Sequence, residues 1–66
     1  MRISDLRERL LLSFGNQWAP SFSQDIALSE LGSQTVNEAL AAGLEAADIW
    51  RAVCNQCPVE TEKYRY

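Results

Sequence analysis

The placement of glycine and proline is the feature that most constrains the fold of this chain. Gly15, Gly32, Gly43 and Pro58 divide its 66 residues into short segments, most of which have helical periodicity. Glycine often closes helices because it adopts positive φ without a steric penalty, and proline cannot continue a helix. No segment alternates apolar and polar residues as a half-buried strand does. The sequence therefore predicts an all-α fold, a compact bundle of three to four short helices.

The first two segments are each expected to form one helix. The first helix is predicted from Ser4, a good N-cap, to Phe14, with Gly15 supplying the positive φ that ends it. The second is predicted from Pro20, whose fixed φ suits a first helical turn, to Leu31.

The third and fourth segments carry the clearest local signals. Thr35 and Glu38 form a capping box, in which each side chain accepts a backbone amide of the other residue, and Gly43 closes this third helix. A fourth helix is expected over residues 45–54 or slightly beyond, ended by Pro58.

These helices are expected to form a single domain over residues 1–58. Residues 59–66 lack helical periodicity and are predicted to form a loose tail. The expected core consists of apolar residues that recur at helical spacing: Leu6, Leu10, Phe14, Phe22, Ile26, Leu31, Val36, Leu40, Ile49, Trp50 and Val53.

The charge balance argues against several functional classes. Six basic residues face nine acidic ones, and the local basic excess lies at the two ends of the chain. Proteins that bind nucleic acid usually present a basic face to the phosphates, so direct binding to nucleic acid is not expected. The longest leucine run, residues 10–12, is too short to span a bilayer, and the amino terminus lacks the features of a signal peptide. A cytoplasmic location is therefore expected, without membrane association.

The spacing of Cys54 and Cys57 allows three interpretations. A structural or incidental role for both thiols is favoured, because zinc requires four ligands and the chain has no third cysteine and no histidine. An intermolecular metal site is a second interpretation. A redox role is a third, and the expected position at a helix carboxyl end disfavours it, because the helix dipole there disfavours thiolate. No metal and no cofactor is expected.

Catalytic chemistry lacks its usual components in this sequence. The chain has no histidine for general base catalysis, no glycine-rich phosphate loop, and no serine or cysteine with a recognisable activating partner. The sequence predicts a protein that is not an enzyme, with no catalytic residues.

The last two predicted helices are expected to form a helix-turn-helix-like corner. Ala39 lies four residues before Gly43 and Ile49 six residues after it, a spacing that lets two helices pack closely at a steep angle. In a DNA-binding protein the fourth helix would enter the groove with its amino-terminal residues, which include Glu45 and Asp48. These carboxylates would face phosphates, so DNA binding is the alternative function rather than the favoured one.

The favoured function is a non-catalytic protein-binding or regulatory module. Leu12 interrupts the polar side of the first helix, with Leu11 beside it, and Trp50 and Arg51 combine two residue types that are enriched at interfaces. These four residues are the predicted contact residues. The expected partner is another protein of unknown identity, or a second copy of the chain in a weak homodimer.

Several short motifs in residues 1–60 carry a resemblance to a known family. They are Met1-Arg2-Ile3-Ser4-Asp5-Leu6, Phe14-Gly15, Asp25, Leu28-Ser29-Glu30-Leu31-Gly32, Thr35-Val36, Ala39-Leu40, Gly43 and, most specifically, Ile49-Trp50-Arg51-Ala52-Val53-Cys54. With these motifs the chain resembles the small actinobacterial proteins catalogued as a domain of unknown function and encoded beside the recombinase RecA and its regulator RecX.

The resemblance implies a helical bundle, a cytoplasmic setting and a link to DNA recombination or repair, but no activity. The sequence departs from the family pattern at several positions. Leu11 and Leu12 replace polar residues, Ala47 and Asp48 stand where basic residues are common, and Cys57 is an addition. The departures at residues 47 and 48 weaken the DNA-binding alternative, and the leucines enlarge the apolar contact surface.

Overall fold

The computed structural model describes residues 1–65 and contains short helical elements joined by tight turns. Within that range a single isolated β-bridge, between Leu28 and Gln34, is the one β pairing. The predicted all-α class is confirmed. The elements are α1 (Ile3–Asp25), a 3₁₀ helix (Ser29–Leu31), α2 (Val36–Ala41), α3 (Ala46–Gln56), α4 (Pro58–Thr61) and a second 3₁₀ helix (Glu62–Tyr64).

Helix α1 begins earlier than the sequence indicated. Its N-cap is Arg2, and the backbone amide of Arg2 donates a hydrogen bond of 3.1 Å to the carboxylate of Asp5. The prediction that Ser4 is the N-cap is wrong, because the Asp5 carboxylate accepts the backbone amide of Arg2, and Arg2 is therefore the N-cap. The carboxylate also lies at the positive end of the helix dipole, where it is stabilising.

Gly15 ends the helical geometry of residues 3–14, as the sequence predicts. Its φ of 84° and ψ of 168° fall in a region that is essentially restricted to glycine. Residues 16–25 resume the helix at once, so Pro20 lies inside α1 and not at a helix start. The predicted second helix, Pro20 to Leu31, is therefore wrong at both ends, since α1 stops at Asp25.

The turn after α1 is fixed by α3 as well as by its own hydrogen bonds. The amide of Leu28 donates to the carbonyl of Gln34 at 2.8 Å. The side chain of Gln56 donates to the carbonyl of Ala27 at 2.8 Å and accepts from the amide of Ser29 at 3.0 Å. One glutamine at the end of α3 thus satisfies two backbone groups of this turn.

Helix α2 has the caps that its sequence predicts. The Thr35 amide donates to the Glu38 carboxylate at 2.9 Å, and the Glu38 amide donates to the Thr35 hydroxyl at 3.1 Å. At the other end Gly43 has a φ of 85°, and the amide of Leu44 donates to the carbonyl of Ala39 at 3.1 Å. This is the hydrogen bond of a Schellman motif, so Gly43 closes α2 as expected.

Helix α3 confirms the predicted fourth helix, and the chain beyond it is ordered into helical turns. Pro58 does follow the end of α3, but it also occupies the first position of α4. The sequence predicts a loose tail at 59–66, whereas the structure places α4 and a 3₁₀ helix there. The hydroxyl of Thr61 is buried and donates to the carbonyl of Cys57 at 2.8 Å. Tyr66 lies outside the described residues.

The core forms where α1, α2 and α3 meet, and it contains all eleven predicted residues. The buried ones are Leu6, Leu10, Phe22, Val36, Ile49, Trp50 and Val53, and the partly buried ones packed against them are Phe14, Ile26, Leu31 and Leu40. The expected core does not include Leu28, Ala19, Ala39, Ala46, Ala52, Cys54 and Thr61, although all are buried. None of the described helices combines the length and apolar character needed to cross a membrane.

Candidate protein-binding surfaces

A groove lies beside the break in α1. We call it the kink groove. Its volume is about 230 Å³. Arg7 stands at its edge, where the guanidinium donates a hydrogen bond of 2.8 Å to the side-chain oxygen of Asn37. The groove is lined by Arg7, Leu10, Leu11, Ala19, Pro20 and Ser23, from both halves of α1.

Two of the predicted contact residues are exposed at or next to this groove. Leu11 is 43% exposed and lines the groove, and Leu12 is 52% exposed one residue further along α1. Trp18, on the other side of the break, is 47% exposed. Its ring packs edge to face against the ring of Phe22, with the two ring centroids 6.4 Å apart. Three large apolar side chains in α1 therefore face solvent around residue 15. Leu11 and Leu12 are among the contact residues that the sequence predicts, and Trp18 is not.

The other two predicted contact residues have different environments. Trp50 is 3% exposed, so it is a core residue and offers almost no surface to a partner. This corrects the expectation that Trp50 forms a protein contact. Arg51 is exposed as predicted, and its guanidinium lies 3.6 Å from the carboxylate of Asp48.

A second cavity, of about 330 Å³, opens beside α3, and we call it the cationic cavity. The ring of Trp50 lies beneath the guanidinium of Arg9, which is 6.0 Å from the ring centroid. Arg9 in turn donates to the backbone carbonyl of Arg65 at 3.4 Å. The cavity is lined by Met1, Ala47, Trp50, Arg51, Cys54 and Arg65.

The sequence shows the basic residues of this cavity but does not show that they come together. The basic excess at the two chain ends is visible, but the ends are more than 50 residues apart in sequence. Packing of α1 and the C-terminal segment against α3 brings Arg9 and Arg65 to the same side of Trp50. A helical pattern alone gives no register between elements so far apart, and the cavity could therefore not be predicted.

The two cysteines lie at the carboxyl end of α3, as expected. Cys54 is buried in the last turns of α3, Cys57 is partly buried at its C-cap, and both are free thiols. Burial raises the pKa of the Cys57 thiol, and the nearby carboxylate of Glu60 raises it further. Both effects disfavour thiolate, the form that attacks disulfides and binds metals. Within residues 1–65, no three His, Cys, Asp or Glu residues are grouped as metal ligands.

The start of α3 presents acidic side chains to solvent. Glu45 is its N-cap, and both Glu45 and Asp48 are exposed. The link between α2 and α3 has the length of a helix-turn-helix connection, since residues 42–45 separate the helices. Carboxylates in these positions suit the positive end of the helix dipole but repel phosphate.

Residues 1–61 match the model of a family described as proteins of unknown function, DUF3046. The chain belongs to this family. Comparisons with curated proteins and with solved structures give no match. The part that matches DUF3046 runs from the amino terminus to the end of α4. It includes the complete kink groove and every residue of the cationic cavity except Arg65.

Proposed function

We propose that this DUF3046 protein is a small, non-catalytic protein-binding or regulatory module. The observation that carries the proposal is the pairing of exposed leucines with the kink groove. Leu11 and Leu12 are about half exposed, so both present apolar surface to solvent. Contiguous apolar surface on a soluble domain often marks a protein interaction site.

The shape of the kink groove suits the side chain of a partner. The kink groove lies between Leu11 on the first half of α1 and Ala19 and Pro20 on the second half. Both halves of α1 could therefore enclose an apolar side chain of a partner. Arg7 at the edge offers a charged donor that would add specificity. The partner is either another protein or a second copy of this chain in a weak homodimer.

Two further parts of the proposal rest on the resemblance described from the sequence. A cytoplasmic location and a link to DNA recombination or repair would follow if the chain acts in the setting of the related proteins encoded beside RecA and RecX. Neither requires this chain to contact DNA itself, because a module that binds a recombination protein would have the same association.

DNA binding through a helix-turn-helix of α2 and α3 is the alternative. The observation in its favour is the group of arginines beside α3, Arg9, Arg51 and Arg65. The acidic start of α3, with Glu45 and Asp48, opposes it. We therefore favour the protein-binding module.

An experiment with matched aspartate substitutions tests the proposal. Affinity-tagged Leu11→Asp and Leu12→Asp variants are compared with the parent protein in capture from cell lysate and in sedimentation equilibrium. Val59→Asp is the control, because Val59 is an exposed apolar residue, 80% exposed, on α4. Circular dichroism verifies that all variants keep the helical signal.

The expected result is a specific interaction that survives nuclease, is lost in both leucine variants and is kept in Val59→Asp. The interaction is either capture of one protein at constant stoichiometry or self-association. Equal interaction in all variants would contradict the proposal. Capture that disappears after nuclease treatment would favour the DNA-binding alternative. Unfolding of Leu12→Asp would show that Leu12 supports the core and is not available to a partner.

A further inference from the structure

The cationic cavity concentrates positive charge on a protein whose net charge is −3. Arg51 and Arg65 line the cavity, and the guanidinium of Arg9 lies against its Trp50 ring. Half of the six basic residues of the chain thus gather around one tryptophan. Within residues 1–65, Asp48 is the one carboxylate that forms an ion pair with these three guanidinium groups.

The arginines are held in place by contacts that leave donors for a ligand. Arg65 donates from one terminal nitrogen to the carbonyl of Pro58 at 2.8 Å. Arg9 donates to the carbonyl of Arg65, which links α1 to the C-terminal segment. Arg51 interacts with Asp48 at 3.6 Å, and both side chains are largely exposed, so a stronger anion can replace that pair.

The floor of the cavity is apolar. It is formed by Trp50, Cys54, Ala47 and the side chain of Met1. A ligand that matches both parts of the cavity needs an apolar group for the floor and negative charge for the rim. The volume, about 330 Å³, falls at the lower end of the range for ligand pockets.

We propose that the cationic cavity binds a short acidic segment of a partner protein. One apolar side chain of that segment rests on the exposed part of the floor, Met1 and Ala47, and flanking carboxylates pair with Arg51 and Arg65. Arginine binds carboxylates with two parallel hydrogen bonds, which gives orientation as well as attraction. This site is separate from the kink groove, and its test does not depend on the function proposed for Leu11 and Leu12.

Two features favour an acidic peptide over a nucleic acid as the occupant. The Trp50 ring is almost completely buried, so it cannot provide the stacking face that single-stranded binding sites use. Glu45 and Asp48 lie at the start of the same helix and would face the phosphates of a long polyanion. A short segment brings fewer charges near these carboxylates, and its pairing with Arg51 has to displace Asp48 alone.

The test uses a short, blocked peptide with a central leucine flanked by glutamates, labelled with fluorescein, and a peptide with glutamines in place of the glutamates. Binding is followed by fluorescence anisotropy. We expect the glutamate peptide to bind and its affinity to fall as salt is added, because salt screens exposed charges. We expect Arg51→Gln and Arg65→Gln each to weaken binding about fivefold, as for an exposed charge pair.

Arg7→Gln is the matched control. It removes the same charge at the kink groove and should leave peptide affinity within about twofold. A Trp18→Phe background leaves Trp50 as the remaining tryptophan, so its emission reports directly on occupancy of the cavity. Arg51 is exposed, and Arg51→Gln is therefore expected to fold even if Arg65→Gln, which loses the Pro58 contact, does not.

Three outcomes would overturn the proposal. The first is no binding of the glutamate peptide, or equal binding of the glutamine peptide. The second is equal loss of affinity in Arg7→Gln, which would assign the effect to overall charge or to binding at the kink groove. The third is tighter binding of a short duplex DNA than of the peptide, with that DNA binding lost in Arg51→Gln. This result would assign the cavity to nucleic acid. None of these outcomes depends on Leu11 or Leu12.

Discussion

The ring of Phe14 stacks on the ring of Phe22 across the break in α1, with centroids 4.2 Å apart and ring planes 16° apart. An unbroken helix separates residues i and i+8 by about 12 Å along its axis. The conformation of Gly15 between them shortens that path and lets the rings meet. The stacked pair therefore links the two halves of α1 and depends on the backbone at one residue.

Replacing Gly15 by alanine should destabilise the domain. At φ 84° and ψ 168° an L-residue is strained, although a Cβ at Gly15 would meet no atom within 4 Å. The cost is therefore in the backbone, about 1–3 kcal/mol. In a domain of this size each kcal/mol lowers the melting temperature by roughly 4–8 °C, which thermal unfolding followed by circular dichroism would measure.

Ser13→Ala is the control for Gly15→Ala. Its hydroxyl is buried without a hydrogen-bond partner among residues 1–65, so its removal should be neutral or slightly stabilising. If Gly15→Ala melts within error of the parent, then the backbone at residue 15 is helical in solution and the stacked pair is not present.

Thr35→Ala should remove the N-terminal cap of α2. The Thr35 hydroxyl accepts the amide of Glu38 at 3.1 Å, and Thr35 is largely buried, so water cannot replace it fully. Loss of such a cap costs about 1 kcal/mol, or a melting temperature lower by roughly 4–8 °C. Thr35→Ser keeps the hydroxyl and should retain most of the stability. Equal melting of the alanine and serine variants would show that the cap does not contribute.

The parts of the fold that the sequence predicted well are those specified by neighbouring residues. The capping box at Thr35 and Glu38 and the turn at Gly43 depend on contacts within a few residues, and the structure has both. The predicted start of the second helix is wrong because Pro20, which suits a first helical turn, lies inside α1 instead. Proline inside a helix removes an amide hydrogen bond, so a local pattern does not predict this position.

The candidate site residues also differ in how well the local sequence predicts their exposure. Exposure of Leu12 follows from its position opposite the apolar stripe of the first helix, and periodicity is sufficient to predict it. Leu11 lies on the flank of that stripe, so periodicity alone does not predict its exposure. Trp50 was ambiguous because an aromatic residue at the edge of a stripe suits both a core and an interface. It is buried in the core that α3 forms with α1 and α2, and Arg9 lies over its ring, a contact between residues 41 positions apart that no local pattern contains.

The stability of α1 should depend on pH through Asp5. A hydrogen bond from the backbone amide of Arg2 lowers the pKa of Asp5 below its ordinary value of 3.8; slight desolvation opposes this shift and the positive charge of Arg2 adds to it. A lowered folded pKa means that the carboxylate stabilises the fold above the ordinary pKa and that this contribution is lost as pH falls through the folded pKa.

Asp5→Asn should therefore melt below the parent protein at neutral pH, and the gap should close as pH falls below about 4. Asp25→Asn is the matched control, because Asp25 is exposed at the carboxyl end of α1, where a negative charge opposes the helix dipole. It should not melt below the parent at neutral pH. A gap for Asp5→Asn that stays constant from pH 7 to about pH 3 would contradict the role assigned to the Asp5 carboxylate.

Thr61 tests whether the C-terminal helical turns belong to the folded unit. Its side chain is completely buried, and the carbonyl of Cys57 accepts both its hydroxyl, at 2.8 Å, and its amide, at 3.3 Å. Thr61→Val keeps the shape and leaves that carbonyl paired with the amide, so its melting temperature should fall only slightly. Thr61→Asp places an unpaired charge in the core and should cost about 3 kcal/mol or more. If Thr61→Asp melts like Thr61→Val, residue 61 is accessible to water in solution, and α4 is then the loose tail that the sequence pattern predicted.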